Sequence, residues 1–155
     1  MGDYYNAGYR EAVLFLFYKK RHILVEHRPN GEERETFIPN GGIDTKDLVS
    51  NEDYKINAMK REISEEFASK IEIKKFTYLG EFAVEELKIK FFGYLVTDWI
   101  GIMPENTVEN GEKFAELEWV KIEDYKKVIK FESAKFFIKK SLDLMKDTKF
   151  ILNNF

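Results

Sequence analysis

One segment of the sequence has the clearest helical pattern, and strand-like segments flank it on both sides. Between about residues 52 and 67, four apolar side chains recur at steps of three and four residues and form one stripe: Ile56, Met59, Ile63 and Phe67. Ser50 or Asn51 can cap the start of this segment. The segment is therefore predicted to be an amphipathic helix.

The flanking segments are rich in apolar and aromatic residues and are predicted to be strands. The predicted strands are residues 9–18, 23–28, 36–39, 71–86, 87–99 and 114–122. A turn is predicted at Pro29-Asn30-Gly31, a loop at residues 100–112, and a last helix over residues 123–145 with a break near Phe131. Residues 71–86 and 87–99 are predicted to pair as a long hairpin, which disfavours a simple doubly wound sheet. The order predicts an α/β fold, with a mixed sheet and helices on both faces.

Length and composition set the broad class of protein. A chain of 155 residues fits one domain, residues 1–155, with a sizeable core. The net charge of −3 gives no global field that favours nucleic acid. There is no cysteine, and the longest apolar run, residues 12–18, is far too short to span a membrane. A cytoplasmic protein without a membrane partner is the default expectation.

Three glutamates crowd the end of the predicted helix. Glu62, Glu65 and Glu66 lie on the side opposite the apolar stripe, where like charges repel and the helix dipole is unfavourable. One interpretation is a solvated acidic face, partly offset by Arg61 paired with Glu65. The other is a site for a divalent cation, because carboxylate oxygens on one rigid face suit Mg²⁺ or Mn²⁺.

A glycine-containing loop precedes the helix. The stretch Pro39-Asn40-Gly41-Gly42-Ile43-Asp44 contains two adjacent glycines, whose backbone N–H groups phosphates can approach closely. A glycine pair alone is typical of an ordinary turn. The glycine pair, an acidic residue and the sequence R-E-I-x-E-E together form a much more specific pattern.

This combination resembles the box of the Nudix hydrolase family, G-x5-E-x7-R-E-U-x-E-E-x-G-U, where U is a bulky aliphatic residue. Gly41 fills the opening glycine, and Asp53 stands at the first glutamate, with Glu52 beside it as an alternative in a shifted register. The next five box positions match in order: Arg61, Glu62, Ile63, Glu65 and Glu66. The resemblance implies a Nudix-type α/β/α sandwich with a mixed central sheet.

The sequence departs from the box in three places. Eleven residues instead of five separate Gly41 from Asp53, which amounts to a six-residue insertion, and Asp53 replaces a glutamate. Ala68 and Ser69 stand where the family has glycine and an aliphatic residue. Without the glycine that usually ends such a helix, the helix is expected to stop later, near Lys70.

The resemblance implies hydrolysis of a pyrophosphate bond in a nucleoside diphosphate derivative, with Mg²⁺ or Mn²⁺ as cofactor. Glu62, Glu65 and Glu66 would hold the metal, and either Glu62 or Glu66 would be the general base. Arg61 would hold a box carboxylate in position, and Asp53 would orient the site from behind. A further metal ligand is expected before a late strand, at Glu112 or, as second choice, Glu116.

Weaker fragments resemble one branch of the family, the dinucleoside polyphosphate and RNA 5′-pyrophosphohydrolases. They are Gly8-Tyr9-Arg10, Pro39-x-Gly41-Gly42-Ile43-Asp44, Ala58-Met59-x-Arg61-Glu62, Trp119-Val120 and Val128-Ile129-x-Phe131. Arg10 and Arg28 would then bind phosphates beside Gly41 and Gly42. The implied partner is a nucleotide-type small molecule, with an RNA 5′ end as an alternative, and a homodimer is allowed.

Three other functions stay open at this point. The first is a pyrophosphatase for nucleoside triphosphates or oxidised nucleotides, as in MutT. The second is a nucleotide-binding Nudix module without turnover, against which the intact Glu62, Glu65 and Glu66 argue. The third is an acidic helix that binds protein partners, which would leave the glycine loop unexplained.

Overall fold

Strands make up most of the structure. The computed structural model describes residues 2–30, 33–49 and 53–155. Its strands are β1 (Tyr5–Asn6), β2 (Tyr9–Lys19), β3 (His22–Asn30), β4 (Glu33–Phe37), β5 (Asn40–Gly42), β6 (Glu72–Val84), β7 (Ile89–Ile100), β8 (Asn106–Glu109) and β9 (Glu112–Lys121). Its helices are α1 (Tyr54–Glu66), α2 (Tyr125–Val128), α3 (Glu132–Leu144) and α4 (Thr148–Asn154).

The sheet is mixed, and its strand order is β6-β7-β2-β3-β9-β8. β2 and β7 are parallel, from the pair Arg10↔Ile89 to the pair Phe17↔Val96. The other pairs of neighbouring strands are antiparallel, including the predicted long hairpin of β6 and β7. The mixed sheet that the sequence predicts is therefore confirmed.

The two central strands pair only at one end. β2 and β3 join at Tyr18↔Ile23 and Lys19↔His22. Further from this turn, β2 pairs with β5 and β3 pairs with β4, so the two strands separate. The separation divides the sheet into two halves and leaves a cleft between them.

β2 is buried on both faces, as its almost unbroken apolar sequence requires. Leu14, Leu16 and Tyr18 join the core that contains Phe137 and Ile138 of α3. The alternate side chains Val13, Phe15 and Phe17 join the core that contains Met59 and Ile63 of α1. Helices therefore cover both faces of the sheet, and the predicted α/β/α sandwich is confirmed.

The end of α1 differs from the prediction. The helix stops at Glu66, and Phe67 already lies outside helical geometry, so the expected stop near Lys70 is wrong. Ala68 and Ser69 both take positive φ values, 51° and 58°, which a glycine would accept with less strain. The Ser69 N–H donates to the Ser64 carbonyl at 2.7 Å and closes the helix end.

Several predicted boundaries also differ. The predicted loop at residues 100–112 contains β8, which forms a hairpin with β9. β3 continues through Pro29 and Asn30, where a turn was expected. The break before the last long helix is confirmed, because Phe131 caps α3. Ser50, Asn51 and Glu52 lie outside the described residues, as does Gly31.

No helix in the described ranges is both long enough and apolar enough to cross a membrane.

Candidate active site

A cleft of about 970 Å³ opens where β2 and β3 separate. α1 contributes Glu62, Glu65 and Glu66 to its wall, and β5 contributes Gly41 and Gly42. Arg10 and Arg28 reach the cleft from β2 and β3. Seven of the predicted site residues therefore line one cleft. An eighth, Arg61, does not line it but contacts Glu62 and Gly42, which do.

Arg61 organises the acidic end of α1. Its Nε and Nη2 donate to the two carboxylate oxygens of Asp47, each at 2.8 Å. Nη2 also donates to the Gly42 carbonyl at 2.9 Å, and Nη1 donates to Glu62 at 2.9 Å and to Glu65 at 3.2 Å. One guanidinium therefore ties the helix to both the glycine loop and the segment after it.

Asp47 is the anchor for Arg61, and its side chain is 4% exposed. Burial alone would raise its pKa, but hydrogen bonds from Arg61 and from the Asp44 N–H outweigh burial and lower the pKa. Asp47 also closes a capping box with Asp44 around the short 3-10 turn Thr45–Asp47. The ion pair of Asp47 and Arg61 is therefore charged and held in one geometry.

Asp53, predicted to orient the site, caps α1, and Asp47 is the acidic residue that holds Arg61. At the start of α1, the Asp53 side chain accepts from the Lys55 N–H at 2.9 Å. Five residues separate Gly41 from Asp47, which is the spacing of the box, so the extra residues lie between Asp47 and Arg61. Counting five residues from Gly41 would have identified Asp47.

Two other side chains lie so close to Gly41 and Gly42 that any side chain at either glycine would displace them. A Cβ atom on Gly41 would lie 2.2 Å from Cδ of Glu62. A Cβ atom on Gly42 would lie 2.7 Å from Nη2 of Arg10, whose Nε is 3.4 Å from Asp3. The glycine pair therefore lets Glu62 and Arg10 approach the backbone closely.

The three glutamates of α1 have different environments. Glu65 is 54% exposed and is shared between Arg61 and, at 3.8 Å, Lys46. Burial raises the pKa of Glu62, and Arg61 partly offsets the increase. Glu66 has a buried Oε2 with no hydrogen-bond partner among the described residues. Burial, followed by the charges of Glu26 and Glu62, raises the pKa of Glu66 well above its ordinary value.

Glu109 is a further acidic residue on the cleft wall, beside the three glutamates of α1. Glu109 lines the cleft, and its negative charge adds to the increase in the pKa of Glu66. Glu112 pairs with Glu109 across the end of the β8–β9 hairpin, and neither Glu112 nor Glu116 is among the described residues that line the cleft. The turn Asn110-Gly111 is a strong hairpin signal, and it would have placed Glu109 at the end of a strand.

An aromatic wall, formed by Phe37, Phe114 and Phe131, is another part of the cleft lining and carries Arg28. The Arg28 guanidinium lies over the rings of Phe37, at 4.7 Å, and Phe114, at 5.6 Å. Phe37 stacks on Phe131 at 4.6 Å with an interplanar angle of 14°. Nε of Arg28 donates to Glu26 at 2.8 Å, and Glu26 is fully buried. Sequence reasoning missed Glu26, because a single charged residue in a strand usually faces solvent.

The acidic side chains of the site are of the type that binds a hard divalent cation, but their carboxylate oxygens do not surround a common point. No group of three or more Asp, Glu or His side chains in the described ranges is arranged to hold a metal ion already. The donors are all carboxylate oxygens, which Mg²⁺ and Mn²⁺ prefer. Within the described ranges, the buried Oε2 atoms of Glu66 and Glu26 have no hydrogen-bond partner, so each carboxylate has an oxygen left to bind a cation.

Comparison with known proteins finds similarity in structure but not in sequence family. No protein-family model matches this sequence, and no curated protein matches it. A MutT Nudix hydrolase from Burkholderia pseudomallei is similar in structure, with a TM-score of 0.65, 19% identity, and coverage of 84% of this chain and 96% of that chain.

Two further solved structures agree. A MutT protein from a study of Aliivibrio salmonicida and Vibrio cholerae gives a TM-score of 0.62 at 21% identity and covers 86% of this chain and 96% of that chain. An ADP compounds hydrolase gives a TM-score of 0.65 at 16% identity, covering 88% of this chain and 72% of that chain. The chain therefore has the fold of the Nudix hydrolases.

Proposed function

We propose that this protein is a Nudix pyrophosphohydrolase that uses Mg²⁺ or Mn²⁺ to cleave a pyrophosphate bond in a nucleoside diphosphate derivative. The observation that carries the proposal is a buried carboxylate oxygen of Glu66 that has no hydrogen-bond partner among the described residues, in a cleft that also contains Glu62 and the glycine pair. A structural acidic patch would place its carboxylates in solvent or pair them with cations.

Four carboxylates are the proposed metal ligands: Glu62, Glu65, Glu66 and Glu109. When bound, a divalent cation neutralises phosphate charge and lowers the pKa of water. Arg61 leaves one oxygen of Glu62 free, since its hydrogen bond is to Oε1. Either Glu62 or Glu66 is the proposed general base that accepts a proton from the attacking water.

Arginines on two sides of the cleft are proposed to bind the phosphate chain. Arg10 lies against Gly42, and Arg28 lies on the aromatic wall. A guanidinium binds two phosphate oxygens at once, and the N–H groups of the Gly41–Gly42 loop can approach phosphate without obstruction from a Cβ atom. The chain between the two bases of a dinucleotide could then lie between these arginines.

A dinucleoside polyphosphate or an RNA 5′ end is the proposed substrate class. The cleft contains the stacked rings of Phe37 and Phe131, which offer a flat surface to a base. The names of the structural neighbours, MutT and ADP compounds hydrolase, give the main alternatives, namely nucleoside triphosphates and ADP derivatives.

A substrate panel tests the proposal. The protein is incubated with Mg²⁺ and, separately, with EDTA, and the products are identified by mass spectrometry. The panel contains dinucleoside polyphosphates, capped and triphosphorylated RNA, nucleoside triphosphates, oxidised dNTPs, ADP-ribose and NADH. We expect metal-dependent cleavage of a phosphoanhydride in the first two groups. Binding without cleavage would favour a nucleotide-binding module, and faster cleavage of triphosphates would favour a MutT-like activity.

A further inference from the structure

Glu26 is a buried carboxylate that the proposed reaction does not yet use. It lies on β3, between Phe37 of β4 and Leu117 of β9, and its exposure is 0%. Leu24, two residues earlier, packs in the core beneath α1. Because side chains two residues apart in a strand lie on the same face, Glu26 faces the same side of the sheet as α1.

Only part of the Glu26 carboxylate is satisfied. Arg28 donates to Oε1, whereas Oε2 is buried and has no hydrogen-bond partner among the described residues. A buried carboxylate oxygen without a partner costs free energy unless a proton or a cation compensates it. Such an atom points to a missing partner in this part of the site.

Arg28 links Glu26 to the cleft that contains Glu66. Arg28 donates to Glu26 and lines the cleft together with Glu66. Glu66 has a buried Oε2 for which the described residues supply no hydrogen-bond partner. The same region therefore contains two incompletely compensated carboxylates, one from the sheet and one from the helix.

We propose that Glu26 is a further ligand of the divalent cation, so that the cation is held between β3 and α1 and not by α1 and the β8–β9 hairpin alone. The inference rests on the proposed function, because it assumes that the cation binds at Glu66. It adds a fixed ligand from the centre of the sheet to the ligands on the helix. Through its bond to Arg28, Glu26 also connects the cation site to the aromatic wall.

Titration with Mn²⁺ alone, without any nucleotide, tests this assignment. Free Mn²⁺ is measured by electron paramagnetic resonance for the wild type, Glu26→Gln, and the control Glu118→Gln, which removes one negative charge from the exposed surface of neighbouring β9. We expect Glu26→Gln to weaken Mn²⁺ binding by about tenfold or more. Glu118→Gln is expected to bind like the wild type.

Arg28→Gln separates direct binding from an indirect role. If Glu26 supports the site only by holding the local structure through its hydrogen bond to Arg28, Arg28→Gln breaks the same bond and weakens Mn²⁺ binding as much as Glu26→Gln does, and the inference is overturned. If Glu26 binds the cation, Arg28→Gln binds Mn²⁺ as tightly as the wild type or more tightly, because Glu26 has lost its counter-ion. Equal affinities of wild type and Glu26→Gln also overturn the inference.

Two further outcomes are distinguishable. If the wild type binds no Mn²⁺, both the proposed metal-dependent function and the inference about Glu26 fail. If the wild type binds Mn²⁺ and Glu26→Gln binds it equally tightly, only the inference about Glu26 fails. Circular dichroism checks the fold of each variant. If Glu26→Gln does not fold, Glu26→Asp takes its place. That variant keeps the charge but shortens the side chain, and it is also expected to bind Mn²⁺ more weakly.

Discussion

Glu66 lies at the last turn of α1 with a buried oxygen that no donor among the described residues reaches. The neighbouring charges of Glu26 and Glu62 add to its burial, whereas Arg61 is already committed to Asp47, Glu62 and Glu65. Without a cation, the ionised form of Glu66 is therefore expected to destabilise the folded protein.

This imbalance predicts a pH-dependent effect of Glu66→Gln. The pKa of Glu66 is raised in the folded state above its ordinary value of 4.5. Both states are protonated well below 4.5, so the wild type has no penalty there. As the pH rises from 4.5 through the folded pKa, the unfolded chain ionises more readily, and the wild type loses stability. In EDTA, Glu66→Gln should melt at a higher temperature than the wild type at neutral pH.

Thermal unfolding in EDTA across pH 4 to 8 measures this effect. The difference in Tm between Glu66→Gln and the wild type should shrink towards zero as the pH approaches about 4, because both forms are then neutral. A lower Tm for Glu66→Gln at neutral pH would show that a cation is not needed to compensate the carboxylate.

At the scale of elements, α1 is attached to the loop before it through Asp47 and Arg61. Both side chains are largely buried and joined by two hydrogen bonds. Removal of one partner from a buried pair leaves an uncompensated charge. Asp47→Asn is therefore expected to lower the free energy of unfolding by about 3 kcal/mol.

Asp53→Ala is the matched comparison, since it removes only the cap of the same helix. It should cost about 1 kcal/mol and leave turnover near that of the wild type. Urea unfolding, monitored by circular dichroism, measures both variants. A larger loss for Asp53→Ala than for Asp47→Asn would restore Asp53 as the residue that supports the site.

The β8–β9 hairpin offers another matched pair. Glu109 lines the cleft, while Glu112, its cross-strand partner, does not. We expect Glu109→Gln to lower kcat by about tenfold or more, because loss of a group that holds a catalytic metal has effects of this size. Glu112→Gln should change kcat by less than about twofold. Steady-state kinetics on the preferred substrate decides between them, and the reverse order would restore the prediction for Glu112.

Local patterns in the sequence predict most elements, because the pattern is set by neighbouring residues. The stripe Ile56, Met59, Ile63 and Phe67 predicts α1, and the apolar run in β2 predicts a strand buried on both faces. The placement of Glu26 could not be predicted in this way, since its burial depends on β4, β9 and α1. Asp47 was missed for a different reason. The sequence analysis placed the six inserted residues before the acidic position of the box, whereas they follow Asp47, which holds Arg61.

At the scale of the whole molecule, the cleft follows from the way the sheet divides. β2 and β3 share only two pairs, and each then takes a different partner. The groups in the cleft come from β2, β3, β5, α1 and the β8–β9 hairpin, which are distant in sequence. Two cores, one on each face of the sheet, fix these elements relative to one another. The site is therefore a property of the fold and not of the glutamate-rich helix alone.

The central claim is that this cleft hydrolyses a phosphoanhydride with a divalent cation held at Glu66. The most direct measurement is kcat at saturating Mg²⁺ on the panel compound that is cleaved fastest, for the wild type, Glu66→Gln, and Glu72→Gln as an exposed control on β6. We expect turnover by the wild type that EDTA abolishes, a kcat for Glu66→Gln lower by about 100-fold or more, and an unchanged kcat for Glu72→Gln. Failure to cleave any compound with Mg²⁺ present, or an unchanged kcat for Glu66→Gln, would contradict it.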